Sequence, residues 1–129
     1  MTDLSHLDAD VQAALARDMT IDITTTGARS KQARRIEIWF LNVEGTIYIT
    51  GSVGPRDWFA NLLAEPSFTF HLKESVTADL AATATVVTDE HERRRVFAHP
   101  TADWYLRQED TLDELIAEAP MVRIDFGAA

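Results

Sequence analysis

The chain has no cysteine, which excludes disulfides, a thiolate nucleophile and cysteine-ligated zinc, and fits a cytoplasmic protein. Glycine and proline are scarce, five and four in 129 residues, as in an ordinary globular composition. No apolar run approaches the ~18–20 residues of a membrane span. The start, Met1-Thr2-Asp3-Leu4-Ser5-His6, has neither the basic nor the apolar region of a secretory signal, so none is expected. The four histidines, His6, His71, His91 and His99, form no HxxxH or HxH pair, and no metal site is expected. Ser30 and Ser52 lack a GxSxG elbow, which argues against either as a nucleophile. There is no GxGxxG and no repeated βαβ rhythm, which argues against a Rossmann fold.

What the chain does have suits one domain, residues 1–129, large enough to bury roughly two-thirds of its unfolded surface. The net charge of −9 repels nucleic acid and anionic membrane surfaces. Its distribution carries more information. No acid lies between Asp22 and Glu37, yet Arg29, Lys31, Arg34 and Arg35 gather there. One basic loop in an acidic protein reads as a site for a small anion, or as a solvated hairpin tip.

The second stretch of interest runs from Ile47 to Leu63. Ile47 and Ile49 alternate with Tyr48 and Thr50 as in a half-buried strand. Gly51 and Gly54 then allow backbone angles that other residues resist. Pro55 suits the first position of a helix over Pro55–Ala64, with Asp57 near its positive end. A strand, glycine turn and helix start can aim backbone N–H groups at an anion or a polarised ring. The same pattern also serves as a plain connection.

Along the chain, Leu7–Arg17 reads as a short amphipathic helix capped by Ser5 or Asp8. Met19–Thr26 alternates as a strand. Arg35–Val43, with Ile36, Ile38 and Phe40 on one face, is the strongest strand and is expected to form a hairpin with Thr46–Thr50 through Asn42-Val43-Glu44-Gly45. Phe68–Leu72 and Val76–Thr88 follow as strands, then a charged helix Glu90–Ala98 behind Asp89. A helix is expected over Trp104–Ala117, burying Leu112, Leu115 and Ile116 with Glu109 and Asp110 in solvent. Met121–Phe126 is the last strand. About six antiparallel strands with peripheral helices give a mainly β (α+β) fold, a small closed or half-closed barrel. The outward faces of Phe68–Leu72 and Val76–Val87 look too apolar for water, which points to a homodimer.

Taken in order, Thr24-Thr25-Thr26-Gly27-Ala28-Arg29-Ser30 with Arg34, then Gly51-Ser52, then Asp57-Trp58-Phe59-Ala60-Asn61-Leu62-Leu63-Ala64-Glu65-Pro66 form an arrangement that resembles the deazaflavin-dependent nitroreductase family. That family's pattern is TTTGRKSG-x-PR, a Ser/Gly loop, then WYxNLxANP. The resemblance covers roughly Met19 to Phe126. It implies the split β-barrel fold shared with FMN-binding, pyridoxamine-phosphate-oxidase-like proteins. It also implies the cofactor, coenzyme F-420, an 8-hydroxy-5-deazaflavin. The implied activity is hydride transfer from the reduced cofactor to a small electrophilic acceptor, a quinone or nitro compound. The alternatives are an FMN-binding oxidoreductase on the same barrel, and a non-catalytic module holding deazaflavin or haem.

Carried over by position, the resemblance places the cofactor's phosphate at Arg29, Ser30 and Arg34, and its ring along Thr50, Gly51 and Ser52. Trp58 stands as a wall, or simply as a core aromatic, and Asn61 as a polar anchor. The departures are Lys31 for the family's glycine, Ala33 for its proline, and Val53 followed by Arg56 where a lysine is usual. That lysine belongs to the family's ring-binding loop, so the departure implies redistributed phosphate contacts, and Arg56 joins the cofactor-binding set. Only Trp104 and Tyr105 stand where the family's substrate-covering tyrosines would be, so they are the candidate substrate-binding residues. The implied mechanism needs no protein nucleophile, because the cofactor carries the hydride, and the sequence identifies no catalytic residue.

Overall fold

Phe40 interrupts the strand that the sequence shows most strongly. In the computed structural model, which describes residues 2–107 and 110–127, β1 (Thr20–Thr26) and β2 (Ala33–Trp39) are followed by a separate β3 (Leu41–Val43) and β4 (Thr46–Thr50). The other strands are β5 (Ser67–Leu72), β6 (Ala78–Val86) and β7 (Met121–Phe126). All pair antiparallel in one sheet of order β2-β1-β5-β6-β7-β4-β3. The two ends of that order, β2 and β3, are consecutive in the chain across Phe40. A sheet whose opposite edges are joined by one residue has to curl, which makes it a half-closed barrel. Phe40 seals the seam: its N–H donates to the Met19 carbonyl at 3.0 Å, and its ring meets Phe70 edge-on at 5.4 Å.

The expected hairpin is thereby corrected. Only Leu41–Val43 pairs with β4, in the register Leu41↔Tyr48 and Val43↔Thr46, while Ala33–Trp39 pairs with β1. The count rises to seven strands for the same reason. Glu44 and Gly45, at φ +54° and +89°, make the tight turn whose twist suits a two-residue hairpin. Asn42 closes it by accepting the Gly45 N–H at 2.8 Å.

Two apolar clusters hold the fold. Inside the barrel lie Ile21, Ile23, Ile47, Ile49, Phe70 and Ile124 among others. Outside it, Tyr48, Met121, Val96, Phe97 and Leu115 pack beneath the C-terminal helices. β4 serves both clusters and is buried at all five residues; the helices cover the face that strand alternation leaves open. Each such side chain contributes about 1.5–3 kcal/mol when fully buried. β6 instead exposes Asp79, Ala81, Thr83 and Thr85, a small and polar outer face rather than an apolar one.

The helices begin and end differently from the sequence reading. α1 covers Ala9–Arg17 and α2 covers Asp57–Ala64. Arg56, extended at φ −137° and ψ 134°, is the residue before α2, so Pro55 lies outside it. α3 (Glu90–Ala98) is capped by Asp89, which accepts the Glu92 N–H at 2.8 Å. The helix expected over Trp104–Ala117 is two: α4 (Asp103–Leu106), after one 3-10 turn at Pro100–Ala102, and α5 (Leu112–Glu118). Residues 108 and 109, which include Glu109, lie outside the described residues. Thr111 and Glu114 form a reciprocal capping box that starts α5. Leu112, expected inside, is 39% exposed. Among the described residues, no helix is long and apolar enough to cross a membrane.

Candidate functional site

The loop from β1 to β2 folds on itself. The Gly27 N–H donates to the Gln32 carbonyl at 2.8 Å, and the Lys31 N–H donates back to the Gly27 carbonyl at 2.9 Å. Lys31 adopts φ +61°, a left-handed angle that glycine reaches at lower cost. Ser30 Oγ accepts the Gln32 N–H at 3.2 Å. A Cβ on Gly27 would stand 2.4 Å from that same Oγ, so the loop's tightness depends on glycine there. From α2, buried Asn61 grips the loop on two sides. Its Oδ1 accepts the Ala28 N–H at 2.9 Å and its Nδ2 donates to Thr25 Oγ1 at 3.1 Å.

The loop and α2 enclose a cavity of about 590 Å³, bordered by Arg29, Ser30, Arg34, Asp57, Trp58 and Asn61 among others. Strand alternation sorts the basic residues. Arg35 lies on the opposite face from Arg34 and pairs with Asp22 at 3.0 Å. Among the described residues, Arg29, Lys31 and Arg34 have no carboxylate within 4.0 Å. Asp57 borders the cavity but closes no ion pair with them. The result is an unneutralised cationic pocket.

A second cavity, about 290 Å³, opens at the end of β4 and is bordered by Thr50, Gly51, Ser52, Arg56, Trp58 and Tyr105, with Ile38, Trp39 and Trp104 across from them. The chain has three tryptophans, and all three border this cavity. Trp58 is 7% exposed and belongs to the barrel core, so it is both core aromatic and wall. It also borders the first cavity, so the two adjoin at this residue and together make the candidate groove. Trp104 meets Trp39 edge-on at 5.1 Å and Tyr105 at 5.1 Å.

Thr50 does not offer its hydroxyl to the groove: that group donates to the Pro120 carbonyl at 2.6 Å. The Thr50 carbonyl in turn accepts from the Tyr105 hydroxyl at 3.4 Å. Burial pushes the Tyr105 hydroxyl up to about 12, so it stays a donor at neutral pH. Gly54 takes φ +132°, whereas Gly51 does not use the left-handed region. Asp110, expected in solvent, accepts the Val53 N–H at 2.8 Å and ties this loop to the start of α5. Arg56 borders the aromatic cavity and not the cationic one, on the turn where the resemblance sets it against the family's ring-loop lysine.

A third cavity, about 810 Å³, lies behind the Gly54-Pro55 turn between α3 and α5. Its buried cation is already satisfied. Arg93 donates to the carbonyls of Val87 (2.9 Å), Leu115 (3.1 Å), Ile116 (2.5 Å) and Ala119 (2.6 Å). Two of these, Ile116 and Ala119, are carbonyls at the end of α5 that have no helical partner, whereas the Leu115 carbonyl also accepts the Ala119 N–H at 3.1 Å. Arg93, Trp39 and Asp110 were not legible as functional or positioning residues. Trp39 carries the one usable signal, a tryptophan in a strand adjoining the basic loop.

Three solved structures illustrate the likeness of the fold. An F420 reductase is 14% identical, covers 91% of this chain and 93% of its own, and superposes with a TM-score of 0.65. A FAD-binding protein from Mesorhizobium loti is 11% identical, covers 94% and 91%, and scores 0.67. HutZ, the haem storage protein from Vibrio cholerae, is 13% identical, covers 95% and 92%, and scores 0.67. At such identities they share the split-barrel architecture alone. No curated protein matches the sequence significantly. The family model of F420H(2)-dependent quinone reductase matches residues 5–116. That match takes in the basic loop, the glycine turn and α2 as well as the aromatic residues of α4, and the chain belongs to the F420H(2)-dependent quinone reductase family, a family of deazaflavin-dependent oxidoreductases.

Proposed function

We propose that the groove holds coenzyme F-420 with its phosphate against Arg29, Ser30 and Arg34 and its ring in the aromatic cavity. The acceptor is then a planar electrophile of the quinone or nitroarene class. One observation carries this reading: a cationic pocket and an aromatic pocket joined at Trp58. Paired guanidinium groups suit a phosphate, which accepts several charge-assisted bonds. A cavity walled by Trp39, Trp58 and Trp104 suits flat rings. Bound there, the reduced deazaflavin supplies the hydride. The chain's own work is to position the ring, exclude water with Trp58 and Tyr105, and present the acceptor beside Trp104, which is 43% exposed.

FMN also joins a phosphate to a flat ring, and the FAD-binding neighbour keeps a flavin reading open. Haem is less well served: among the described residues no histidine borders either cavity. His71 is held on the outer sheet face by Thr24 and Asp79, each at 2.7 Å. A homodimer belongs to the same proposal. Exposed Met19, Ile36 and Leu63 supply apolar surface for a second copy, and sedimentation at micromolar concentration checks it.

Adding F-420 or FMN to the protein while following tryptophan emission tests the reading, because all three indoles border the ring cavity. Saturable quenching by F-420, with quinone reduction when the reduced cofactor is supplied, supports it. Quenching by FMN alone would transfer the site to a flavin.

A further inference from the structure

We infer that Arg56 is the ring-side cation of this groove, stabilising negative charge on the bound deazaflavin ring while Arg29 and Arg34 hold the phosphate. The inference rests on the cofactor reading above and gives Arg56 a task at the ring rather than at the phosphate. The Arg56 side chain folds back along the glycine turn. Its Nη1 donates to the Pro55 carbonyl at 2.8 Å. A Cβ on Gly54 would stand 3.0 Å from Nη1, and one on Gly51 4.0 Å from Nε. The guanidinium therefore lies along the backbone of residues 51–54, in space those glycines leave open.

It borders the cavity of the three tryptophans. Among the described residues no carboxylate lies within 4.0 Å of it, and Asp110, the acid that reaches this turn from before α5, is engaged by the Val53 N–H. Among the described residues, most of its N–H groups have no acceptor and remain available to a ligand. The ring of an 8-hydroxy-5-deazaflavin carries an acidic hydroxyl. A cation within ~4–6 Å of an acid favours its charged form and lowers its pKa by about 1–3 units. The indole walls reduce solvent screening and strengthen the effect.

The test is a pH titration of the absorbance of bound, oxidised F-420 in wild type, Arg56→Met, Arg56→Lys and Arg34→Ala, each at saturating cofactor. Arg56→Met is expected to raise the ring hydroxyl's apparent pKa by about one unit, a tenfold change in proton affinity. Arg56→Lys should recover much of that shift, since the charge is kept. Arg34→Ala should weaken binding about tenfold or more and leave the ring's ionisation in place. Saturable binding with the same ring ionisation in wild type and Arg56→Met overturns the role of Arg56 alone. So does an equal shift in Arg34→Ala. Absence of saturable binding by wild type overturns the cofactor reading and this inference together.

Discussion

The Asn61 side chain on α2 accepts the Ala28 N–H at 2.9 Å, and so fixes a helix and the basic loop to each other. The same amide donates to Thr25 Oγ1, and Asn61 is only 8% exposed. Asn61→Ala removes both bonds and leaves two polar groups without partners, a cost of about 1–3 kcal/mol. Thermal unfolding should shift down by several degrees. Cofactor affinity should fall as well, because Arg29 loses its fixed starting point. An unchanged melting temperature would contradict the anchor.

Gly27 and Ser30 make a second, separable test of the loop. A Cβ at Gly27 meets Ser30 Oγ at 2.4 Å and the Gln32 carbonyl at 3.3 Å. Gly27→Ala should cost about 1–3 kcal/mol through overpacking. Most of that cost should vanish when Ser30→Ala is already present, since the principal clash is then gone. Denaturant unfolding of the four proteins in this cycle measures the coupling. Equal costs in both backgrounds would place the strain elsewhere.

Glu92 sets an acid limit on stability. Burial works against its charge, but the Tyr48 hydroxyl at 2.7 Å and the Arg123 guanidinium at 2.9 Å outweigh that and hold its carboxyl below the usual glutamate range. A carboxylate depressed by folding adds stability above its unfolded pKa, about 4.3. That stability is lost as pH falls through the folded value. Glu92→Gln should therefore be less stable than wild type at pH 7, with the gap closing below about pH 4. Urea titrations at pH 7 and pH 3.5 check this; a gap of constant size would remove Glu92 from the acid response.

The parts of this fold legible in the sequence are those governed by local pattern. Ile21 and Ile23 announce β1, the acid-free stretch announces the basic loop, and Asp89 announces α3. The break at Phe40 was not legible, because the alternation of Ile36, Ile38 and Phe40 continues through it. It comes from closure of the barrel, through the carbonyl of Met19 and the ring of Phe70. Arg93 was equally hidden within Glu92-Arg93-Arg94-Arg95. Which arginine turns inward is decided by carbonyls of α5 more than twenty residues away. The Thr111–Glu114 capping box was legible in principle, as Thr-x-x-Glu before an apolar residue, and it divides the C-terminal helix. The meeting of Trp39, Trp58 and Trp104 depends on three distant elements and no local signal.

The most direct test of the account is the affinity of wild type, Arg29→Ala, Arg34→Ala, Lys31→Ala and Arg35→Ala for F-420 and for a ring analogue lacking the phosphate, read by tryptophan emission. Charge-assisted contacts are worth about 1.5–3 kcal/mol each, so Arg29→Ala and Arg34→Ala should each weaken F-420 roughly tenfold to a hundredfold. The loss should shrink as salt rises and be nearly absent with the analogue. Lys31→Ala should matter less, and Arg35→Ala, whose partner is Asp22, should change affinity by no more than about 0.5 kcal/mol. Equal affinities across all five proteins would contradict a phosphate clamp at this loop.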